Sequence, residues 1–323
     1  MTHKEALRRL DEVETQRNTL QEERDELKGH LARMAAELAM FHQHGWKRPE
    51  LLVQPAGHFY SPVVDPESAF VTRALADTTP PAAIEIDDER MLAELEALSK
   101  FYAEMPFGPE KTEGLRFFFE NPAFSYTDAF VLYAYIRKLQ PRRIVEIGCG
   151  YSTCVIFDTV DGFINPAPEI RCFDPYPDVP LQLTKPEDHL RKAIEAIPLQ
   201  DIPDEVFSSL EAGDMLFIDS SHIAKTGSDV LDYMFRALPL VKSGVYVHIH
   251  DIGAHFEYSH EWVVTENRSW NEIYFLRAFL MYNDAFRIVF WNNHVVRKFP
   301  DRVKAMAPAC LKNGGASIWL IRQ

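Results

Sequence analysis

Short apolar runs alternate with longer segments of helical periodicity from about residue 125 to the end of the chain. The runs have the length and β-branched content of buried strands, and the periodic segments are long enough for helices that cover a sheet. Strands that alternate with helices in this way form a mostly parallel sheet. The pattern therefore predicts an α/β fold with helices on both faces for residues 125–323.

The predicted elements can be placed to within a few residues. The predicted strands are residues 144–147, 170–173, 215–218, 244–251, 286–291 and 316–321, with a weak strand or loop at 199–202. The predicted helices are residues 88–102, 129–139, 187–197, 204–211, 227–240 and 270–282. Ser125 and Asp128 are spaced like a capping box at the start of the second of these helices.

The first 44 residues contain no proline and a single glycine, Gly29, and they are dense in Glu, Arg and Leu. One seam of the heptad pattern is formed by Leu10, Arg17, Arg24, Leu31 and Leu38, and the other by Val13, Leu20, Leu27, Met34 and Phe41. This pattern favours a coiled coil or long helix that joins copies of the chain. The alternative is an amphipathic helix packed on its own domain.

Residues 45–124 form a second segment, in which Pro, Gly and aromatic residues interrupt any regular pattern. Two aromatic clusters, at 58–60 and 117–119, are candidates for a lid and for the wall of a substrate pocket. The predicted division is therefore residues 1–44 for oligomerisation, 45–124 for the connector and pocket, and 125–323 for the catalytic domain.

The segment around residues 144–152 organises the rest of the chain. The apolar run 144–147 ends on Gly148 and Gly150, and the residues from Ser152 onward are helical by pattern. A strand, a glycine turn and a helix N-terminus in this order let the backbone approach a ligand closely. The motif predicts a nucleotide-type binding site.

The type of nucleotide follows from what this motif lacks. A dinucleotide fingerprint needs a third glycine, but Thr153 stands at that position, and the Gly-Lys-Ser/Thr of a P-loop is also absent. What remains is an acidic strand residue, Glu146, followed by Gly-x-Gly. This resembles the first motif of the class I S-adenosylmethionine-dependent methyltransferases. The resemblance implies a seven-stranded Rossmann-like sheet that ends in an antiparallel pair.

Composition and charge argue against some classes of partner and indicate the cellular compartment. The net charge of −14 and the pI near 5.3 argue against a nucleic-acid or anionic-membrane partner. The four cysteines form no C-x-x-C pair and suit buried residues in a reducing compartment. No apolar stretch is long enough to span a bilayer, so we expect a cytoplasmic protein.

Polar residues stand at the predicted strand ends, where open α/β sheets bind their ligands. Asp174 follows the second strand and is spaced to accept hydrogen bonds from ribose hydroxyls, although an acid here can also cap a turn. Asp201 follows the weak strand or loop and is a candidate for the adenine amine, with a plain surface acid as the alternative. With Glu146, the glycine pair and Ser152, these residues complete the predicted cofactor site.

Two further strand ends carry acids and histidines together. Asp219 and His222 follow one strand, and His248, His250 and Asp251 lie at the end of the next. Adjacent strands are about 4.8 Å apart, so these groups converge, and two carboxylates in one pocket need a cation between them. Oxygen ligands suit Mg²⁺, whereas the histidines leave Zn²⁺ or Fe²⁺ open. A single histidine of this kind is more often structural.

This part of the chain is similar to metal-dependent O-methyltransferases that act on macrolide sugars, within a bacterial family linked to natural-product and polysaccharide pathways. The resemblance implies that Asp219 and Asp251 bind the metal and that His222 is the general base. His250 stands where those enzymes have a carboxylate, and it would be the third ligand. The stretch Trp270-Asn-Glu272 is also similar to the wider family.

The sequence therefore predicts a methyltransferase that uses S-adenosylmethionine, assisted by Mg²⁺ or another divalent cation, on a hydroxyl of a sugar or glycosylated small molecule. An amine acceptor is not excluded by the residues. Two alternatives differ in class: a metal-dependent hydrolase or oxygenase built on Asp219, His250 and Asp251, and a non-catalytic scaffold that only binds the cofactor.

Overall fold

The computed structural model describes residues 54–190 and 193–323, together with eight earlier positions that are all helical and exposed. These positions are Arg17, Leu20, Gln21, Arg24, Leu27, Lys28, Leu31 and Met34. They include six positions of the predicted heptad seam, and the other seam positions lie outside the described residues. Oligomerisation through this segment stays a prediction. In the described part of the chain, no helix combines the length and apolar character needed to cross a bilayer.

The chain divides into two compact units, Met1–Val64 and Asp65–Gln323. In the described end of the first unit, the rings of His58, Phe59 and Tyr60 stack on one another, with centroids of neighbouring rings 4.6 Å and 4.2 Å apart. Phe59 and Tyr60 are 81% and 76% exposed. The lid role suggested for these rings stays a prediction.

The second unit is built on a seven-stranded sheet with the order β3-β2-β1-β4-β5-β7-β6. The strands are β1 Arg143–Ile147, β2 Glu169–Phe173, β3 Ile194–Glu195, β4 Met215–Ile218, β5 Tyr246–Ile249, β6 Phe286–Trp291 and β7 Ile318–Arg322. Neighbouring strands are parallel except at β7, which pairs antiparallel with both β5 and β6. The predicted α/β fold, with its seven strands and final antiparallel pair, is confirmed.

Helices cover both faces of this sheet. In chain order they are α1 Ala69–Ala76, α2 Asp88–Ser99, α3 Tyr126–Leu139, α4 Tyr151–Phe163, α5 Asp178–Leu183, α6 Pro186–Leu190, α7 Asp204–Ser208, α8 Asp229–Asp232, α9 Leu238–Leu240, α10 Glu272–Leu280, α11 Asn292–Lys298 and α12 Pro300–Met306. A π-type turn, Tyr233–Ala237, joins α8 to α9 and makes the predicted helix 227–240 nearly continuous.

One prediction about the secondary structure is wrong. A single helix was expected over 187–197, but α6 ends at Leu190 and the chain then forms β3. Ile194 and Glu195 pair with Cys172 and Phe173, so a tertiary contact with the sheet edge outweighs the helical spacing of the apolar residues. The next segment, Leu199–Asp201, is a 3-10 turn and not a strand.

The predicted capping box at α3 is also wrong. Ser125 is the N-cap residue but makes no side-chain capping bond; its hydroxyl donates instead to the carbonyl of Phe119. The carboxylate of Asp128 faces away from the helix end and accepts from Asn292 and from the backbone N–H of Ala316. These long-range partners hold α3 against the strand end at β7.

The aromatic cluster at 117–119 belongs largely to the core. Phe117 and Phe119 are buried, and their rings pack edge to face at a centroid distance of 5.6 Å. Phe107 and Tyr126 pack on them from either side. Buried rings cannot contact an acceptor, so the predicted role of this cluster as a pocket wall is not supported for Phe117 and Phe119.

A buried charge network fixes the segment before α3 to the outer helices. Arg116 is 1% exposed, and its guanidinium lies 2.7 Å from Asp158 in α4, 2.9 Å from Asp161 and 2.5 Å from Asp188 in α6. The Asp158 carboxylate also accepts the backbone N–H of Phe117 at 2.9 Å. Several carboxylates therefore share the Arg116 guanidinium.

Replacing Arg116 tests this network. We expect Arg116→Met to lower the free energy of unfolding by about 3–5 kcal/mol, because the buried carboxylates of Asp158 and Asp188 lose their ion pair with the guanidinium. The matched control is Arg142→Met, whose guanidinium is 74% exposed and lies 3.7 Å from Glu211. The control should change stability by less than about 0.5 kcal/mol. Urea unfolding measures both, and equal losses would contradict the interpretation.

Candidate active site

The carboxyl ends of β1, β4 and β5 lie level with one another. Ile147 is in register with Ile218, and Ile218 with Ile249. The backbone N–H of Asp219 donates to Ile147 at 2.8 Å, and that of His250 to Ile218 at 2.9 Å. The residues that follow these strands therefore meet at one edge of the sheet, as the sequence predicted.

The glycine loop between β1 and α4 is tied to a buried acid. Glu146 is fully buried, and its two carboxylate oxygens accept the hydroxyls of Ser152 and Thr153, each at 2.7 Å. Burial raises the pKa of Glu146 to about 7, against the opposing effect of these hydroxyl donors. Gly150 is the N-cap of α4. The carboxylate therefore fixes the first turn of the helix and shapes the loop.

The two glycines of the loop have different roles. Gly148 has φ +78°, and a Cβ at this position would lie 1.8 Å from the carbonyl oxygen of Asp219. Gly150 has φ −175°, and a Cβ there would meet no protein atom within 4 Å. Gly148 therefore lets the loop cross the end of β4, and only Gly150 is free to serve close approach of a ligand.

Asp174 lies just beyond β2 and holds the same loop. Its carboxylate accepts the backbone N–H of Cys149 at 3.0 Å and that of Tyr176 at 2.7 Å. Each carboxylate oxygen keeps a further lone pair for a ligand hydroxyl. The predicted position of Asp174 beside the glycine loop agrees with the structure.

Asp201 lies elsewhere. β3 ends at Glu195, and Asp201 is an exposed residue of the 3-10 turn Leu199–Asp201. The prediction that it stands at a strand end is wrong, because the strand comes earlier in the chain than expected. Glu195 holds the strand end instead, and it accepts the Arg171 guanidinium at 2.8 Å.

Two acids and two histidines alternate around one spot beyond β4 and β5. The His222 Nε2 atom lies 3.5 Å from Asp219 and 3.3 Å from Asp251. The His250 Nδ1 atom lies 3.5 Å from Asp219 and 3.4 Å from Asp251. Each imidazole therefore stands between the same two carboxylates, and we call these four residues the charge cluster.

The charge cluster shifts the pKa of every member. Burial alone lowers the pKa of His222, but hydrogen bonds with Asp219 and Glu272 and the charges of Glu272 and Asp251 raise it to about 10. The pKa of His250 is likewise raised well above its usual value. The histidines lower the pKa of Asp219, whereas burial raises that of Asp251. The imidazolium rings thus supply the positive charge that the acids require.

Glu272 is a residue of the site that the sequence did not identify. Its buried carboxylate lies 2.7 Å from the His222 Nδ1 atom and also accepts the hydroxyls of Ser220 and Tyr233 at 2.7 and 2.6 Å. The backbone N–H groups of Asn271 and Glu272 both donate to the carbonyl of His222. The sequence offered two signals, an acid at the start of the aromatic-rich helix and the similarity of Trp270-Asn-Glu272 to the wider family, but neither gave Glu272 a role.

His248 does not belong to the site. It is 1% exposed, its ring stacks on Phe217 at a centroid distance of 3.8 Å, and Trp319 packs on its edge. Burial and the neighbouring charge of His250 lower its pKa well below the usual value. The interpretation that all three histidines serve the site is therefore wrong for His248, which is a neutral core residue.

The residues predicted to bind a metal lie together but do not enclose an ion tightly. Among the described residues, one group has ligand atoms all within 4.8 Å of one another, and it is Glu146, Cys149 and Cys172 at the glycine loop. The ligand atoms of the predicted set, Asp219, His250 and Asp251, are more widely spaced than those of this group. Its donor chemistry, two carboxylates and an imidazole nitrogen, still suits a divalent cation.

Comparison with known proteins indicates the enzyme class. A family model described as a methyltransferase domain matches residues 145–252, the segment that carries the glycine loop and the whole charge cluster. An uncharacterized protein of Archaeoglobus fulgidus is 30% identical over 174 residues, which cover 49% of this chain and 73% of the archaeal protein.

The matched segment is a methyltransferase domain, so the chain is a methyltransferase. This confirms the predicted enzyme class. It goes against the alternative of a hydrolase or oxygenase on the same sheet.

Three solved structures show a weak likeness to this methyltransferase. The SAH-bound Podospora anserina methyltransferase PaMTH1 has a TM-score of 0.37 and 14% identity, and the match covers 60% of this chain and 77% of that protein. The SAM-bound O-methyltransferase TomG from Streptomyces achromogenes has a TM-score of 0.37 and 17% identity, with 64% of this chain and 83% of that protein covered. Cofactor-bound Rv0187 from MTB has a TM-score of 0.36 and 18% identity, with 62% of this chain and 82% of that protein covered. Likeness at this level carries no information about the acceptor.

The two glycines give a test of the cofactor site in this methyltransferase. We expect Gly148→Ala to destabilise the fold, because the added Cβ overlaps the Asp219 carbonyl. Gly150→Ala should leave the melting temperature unchanged and weaken S-adenosylhomocysteine binding about tenfold or more, because the new methyl group faces the ligand side of the loop. Thermal melts and calorimetric titration measure the two effects. Unchanged binding in Gly150→Ala would remove the loop from the cofactor site.

Proposed function

We propose that this enzyme transfers the methyl group of S-adenosylmethionine to a hydroxyl of a sugar or glycosylated small molecule, with His222 as the general base. The observation that carries the proposal is the pairing of His222 with Glu272. Glu272 holds the Nδ1 side of the ring at 2.7 Å, which leaves Nε2 directed toward the charge cluster. A histidine whose one ring nitrogen is held by a buried acid and whose other ring nitrogen faces the site is the arrangement of a general base.

The cofactor end of the site is formed by the glycine loop and Asp174. Methyl transfer from a sulfonium leaves nothing for the protein to activate in the donor, so these residues position it. In our proposal Asp174 binds the ribose hydroxyls, and Gly150 lets the donor approach the backbone. Glu146 and Ser152 act through the loop, since the Ser152 hydroxyl donates to the Glu146 carboxylate.

The acceptor hydroxyl must lose its proton for the displacement to proceed. With a pKa of about 10, the His222 ring is protonated at neutral pH as long as Asp219 and Asp251 are uncompensated. Positive charge brought near these acids, such as the sulfonium of the donor, lowers that pKa and frees Nε2 to accept the proton. Glu272 then stabilises the imidazolium that forms.

Assistance by a divalent cation is the finer part of the proposal. Asp219, His250 and Asp251 would hold it, and it would lower the pKa of an acceptor hydroxyl bound to it. The positions of the two acids on either side of the imidazoles support this placement. The steps above need only the residues of the chain.

The pH dependence of turnover tests the role of His222. With a glycoside identified as acceptor, we expect kcat/KM to rise with pH until His222 is deprotonated. In Glu272→Gln this rise in kcat/KM should occur at lower pH, because a negative charge that raises the His222 pKa is removed. His222→Asn should lower kcat by about 10²–10⁴-fold, in line with loss of a general base, and should remove the rise of kcat/KM with pH. Turnover that His222→Asn leaves unchanged would contradict the proposal.

Calorimetry tests the cation separately. We expect Mg²⁺ or Mn²⁺ to bind the metal-stripped protein, with affinity lost in Asp219→Asn and in Asp251→Asn. Asp174→Asn is the matched control, since it removes a strand-end acid outside the charge cluster and should bind the cation as the wild type does. Absence of binding in the wild-type protein would leave the imidazolium rings as the only positive charge between the acids.

A further inference from the structure

A cavity of about 410 Å³ opens beside the charge cluster and extends away from it. Its lining includes His250 and Asp251 at the end near the cluster. Trp262 forms part of the wall, and its half-buried ring packs against Trp270 at a centroid distance of 5.5 Å. The cavity therefore offers an acceptor a path to the charge cluster along an aromatic surface.

Arg297 is the only lysine or arginine among the residues that line this cavity. It lies in the last turn of α11 and forms no ion pair with a residue in the described part of the chain, whereas the adjacent Lys298 pairs with Asp88. Arg297 is an exposed residue, so its guanidinium lies on the solvent side of the cavity wall, in a chain whose net charge is −14.

Two further acids that line the same cavity have other partners. Asp128 accepts from Asn292 and from the backbone N–H of Ala316, and its carboxylate lies 3.7 Å from the His250 Nε2 atom. Glu257 accepts the hydroxyl of Tyr274 at 2.5 Å. Neither carboxylate is paired with Arg297, so its charge is left for a ligand.

A second cavity, of about 440 Å³, shares Ala254, His255 and Arg297 with the first. It adds His294 and Lys298 to its lining. Arg297 and His255 therefore lie where the two cavities meet, whereas His294 and Lys298 are paired with Asp88, which also lines the second cavity.

His255 reaches this junction through an unusual backbone conformation. Its φ is +67°, in the left-handed region that non-glycine residues rarely adopt, and the following Phe256 has φ +56°. Phe256 is fully buried against Trp291, which holds the turn in place. Strain that surrounding packing maintains in this way is typical of ligand-binding positions.

From these observations we propose that the acceptor is an anionic saccharide, whose carboxylate or phosphate is bound by Arg297 and His255 while a hydroxyl lies at the charge cluster. The inference rests on the proposed function and names its substrate class. A guanidinium binds either anion through paired N–H groups, and the His255 ring adds a further donor.

The test uses full-length protein saturated with S-adenosylhomocysteine and titrated with glucose, glucuronic acid and glucose 6-phosphate, followed by saturation-transfer NMR. We expect at least one acidic sugar to bind tenfold or more tightly than glucose, and the comparison of the two acidic sugars distinguishes carboxylate from phosphate. Arg297→Gln should abolish the preference, and Arg297→Lys should retain part of it.

Two further variants sharpen the result. Arg302→Gln removes the same charge from the exposed surface of α12, outside both cavities, and should leave the preference intact. His255→Asn keeps a side chain that tolerates a left-handed backbone and should weaken acidic-sugar binding severalfold. Equal binding of the three sugars, no binding of any, or a preference that survives Arg297→Gln would each overturn the inference.

Titration of the same protein variants with S-adenosylhomocysteine distinguishes failure of the proposed function from failure of the acceptor assignment. Loss of cofactor binding in the wild-type protein would refute the proposed function itself. Normal cofactor binding without a preference for acidic sugars would refute only the assignment of the acceptor.

Discussion

The candidate active site of this methyltransferase depends on two carboxylates that lie side by side at the ends of adjacent parallel strands. Asp219 and Asp251 follow β4 and β5, whose register is level, so the acids are brought together by the sheet itself. Two carboxylates held in one pocket repel each other, and each is kept ionised by a positive charge nearby. Positive charge must therefore lie between them, and His222 and His250 occupy those places.

The backbone is strained where these groups are held. His222 has φ +60° and Asp251 φ +57°, both in the left-handed region, and a non-glycine residue there costs of order 1–3 kcal/mol. Hydrogen bonds compensate: the carbonyl of His222 accepts two N–H groups at the start of α10, and Glu272 in that helix holds the His222 ring. The strain fixes the direction of the imidazole, which a relaxed turn would leave variable.

Local sequence patterns were sufficient for the sheet and for the groups that follow its strands. The apolar runs before Gly148, Asp219 and Asp251 each have the length of one strand, and parallel pairing then brings their ends together without further information. The same reasoning placed Asp174 beside the glycine loop, because one βαβ step separates them.

What the sequence could not show depends on contacts between distant segments. Glu272 reaches His222 through a loop whose path no local pattern specifies, and only the structure reveals the pair. His248 lies on β5 and His250 directly follows that strand, yet the first packs on Phe217 and the second faces the acids. Asp201 was misplaced because β3 is too short to give a periodic signal.

The protonation of the histidine rings tests the account most directly. Nitrogen-15 NMR of the protein at pH 7, with the rings assigned through single His→Asn variants, reports each imidazole separately. The account predicts that both ring nitrogens of His222 and His250 carry protons, while His248 is neutral and serves as a reference within the same molecule. Neutral rings at His222 and His250 would contradict it, because the two acids would then lie together without the positive charge on which the site depends.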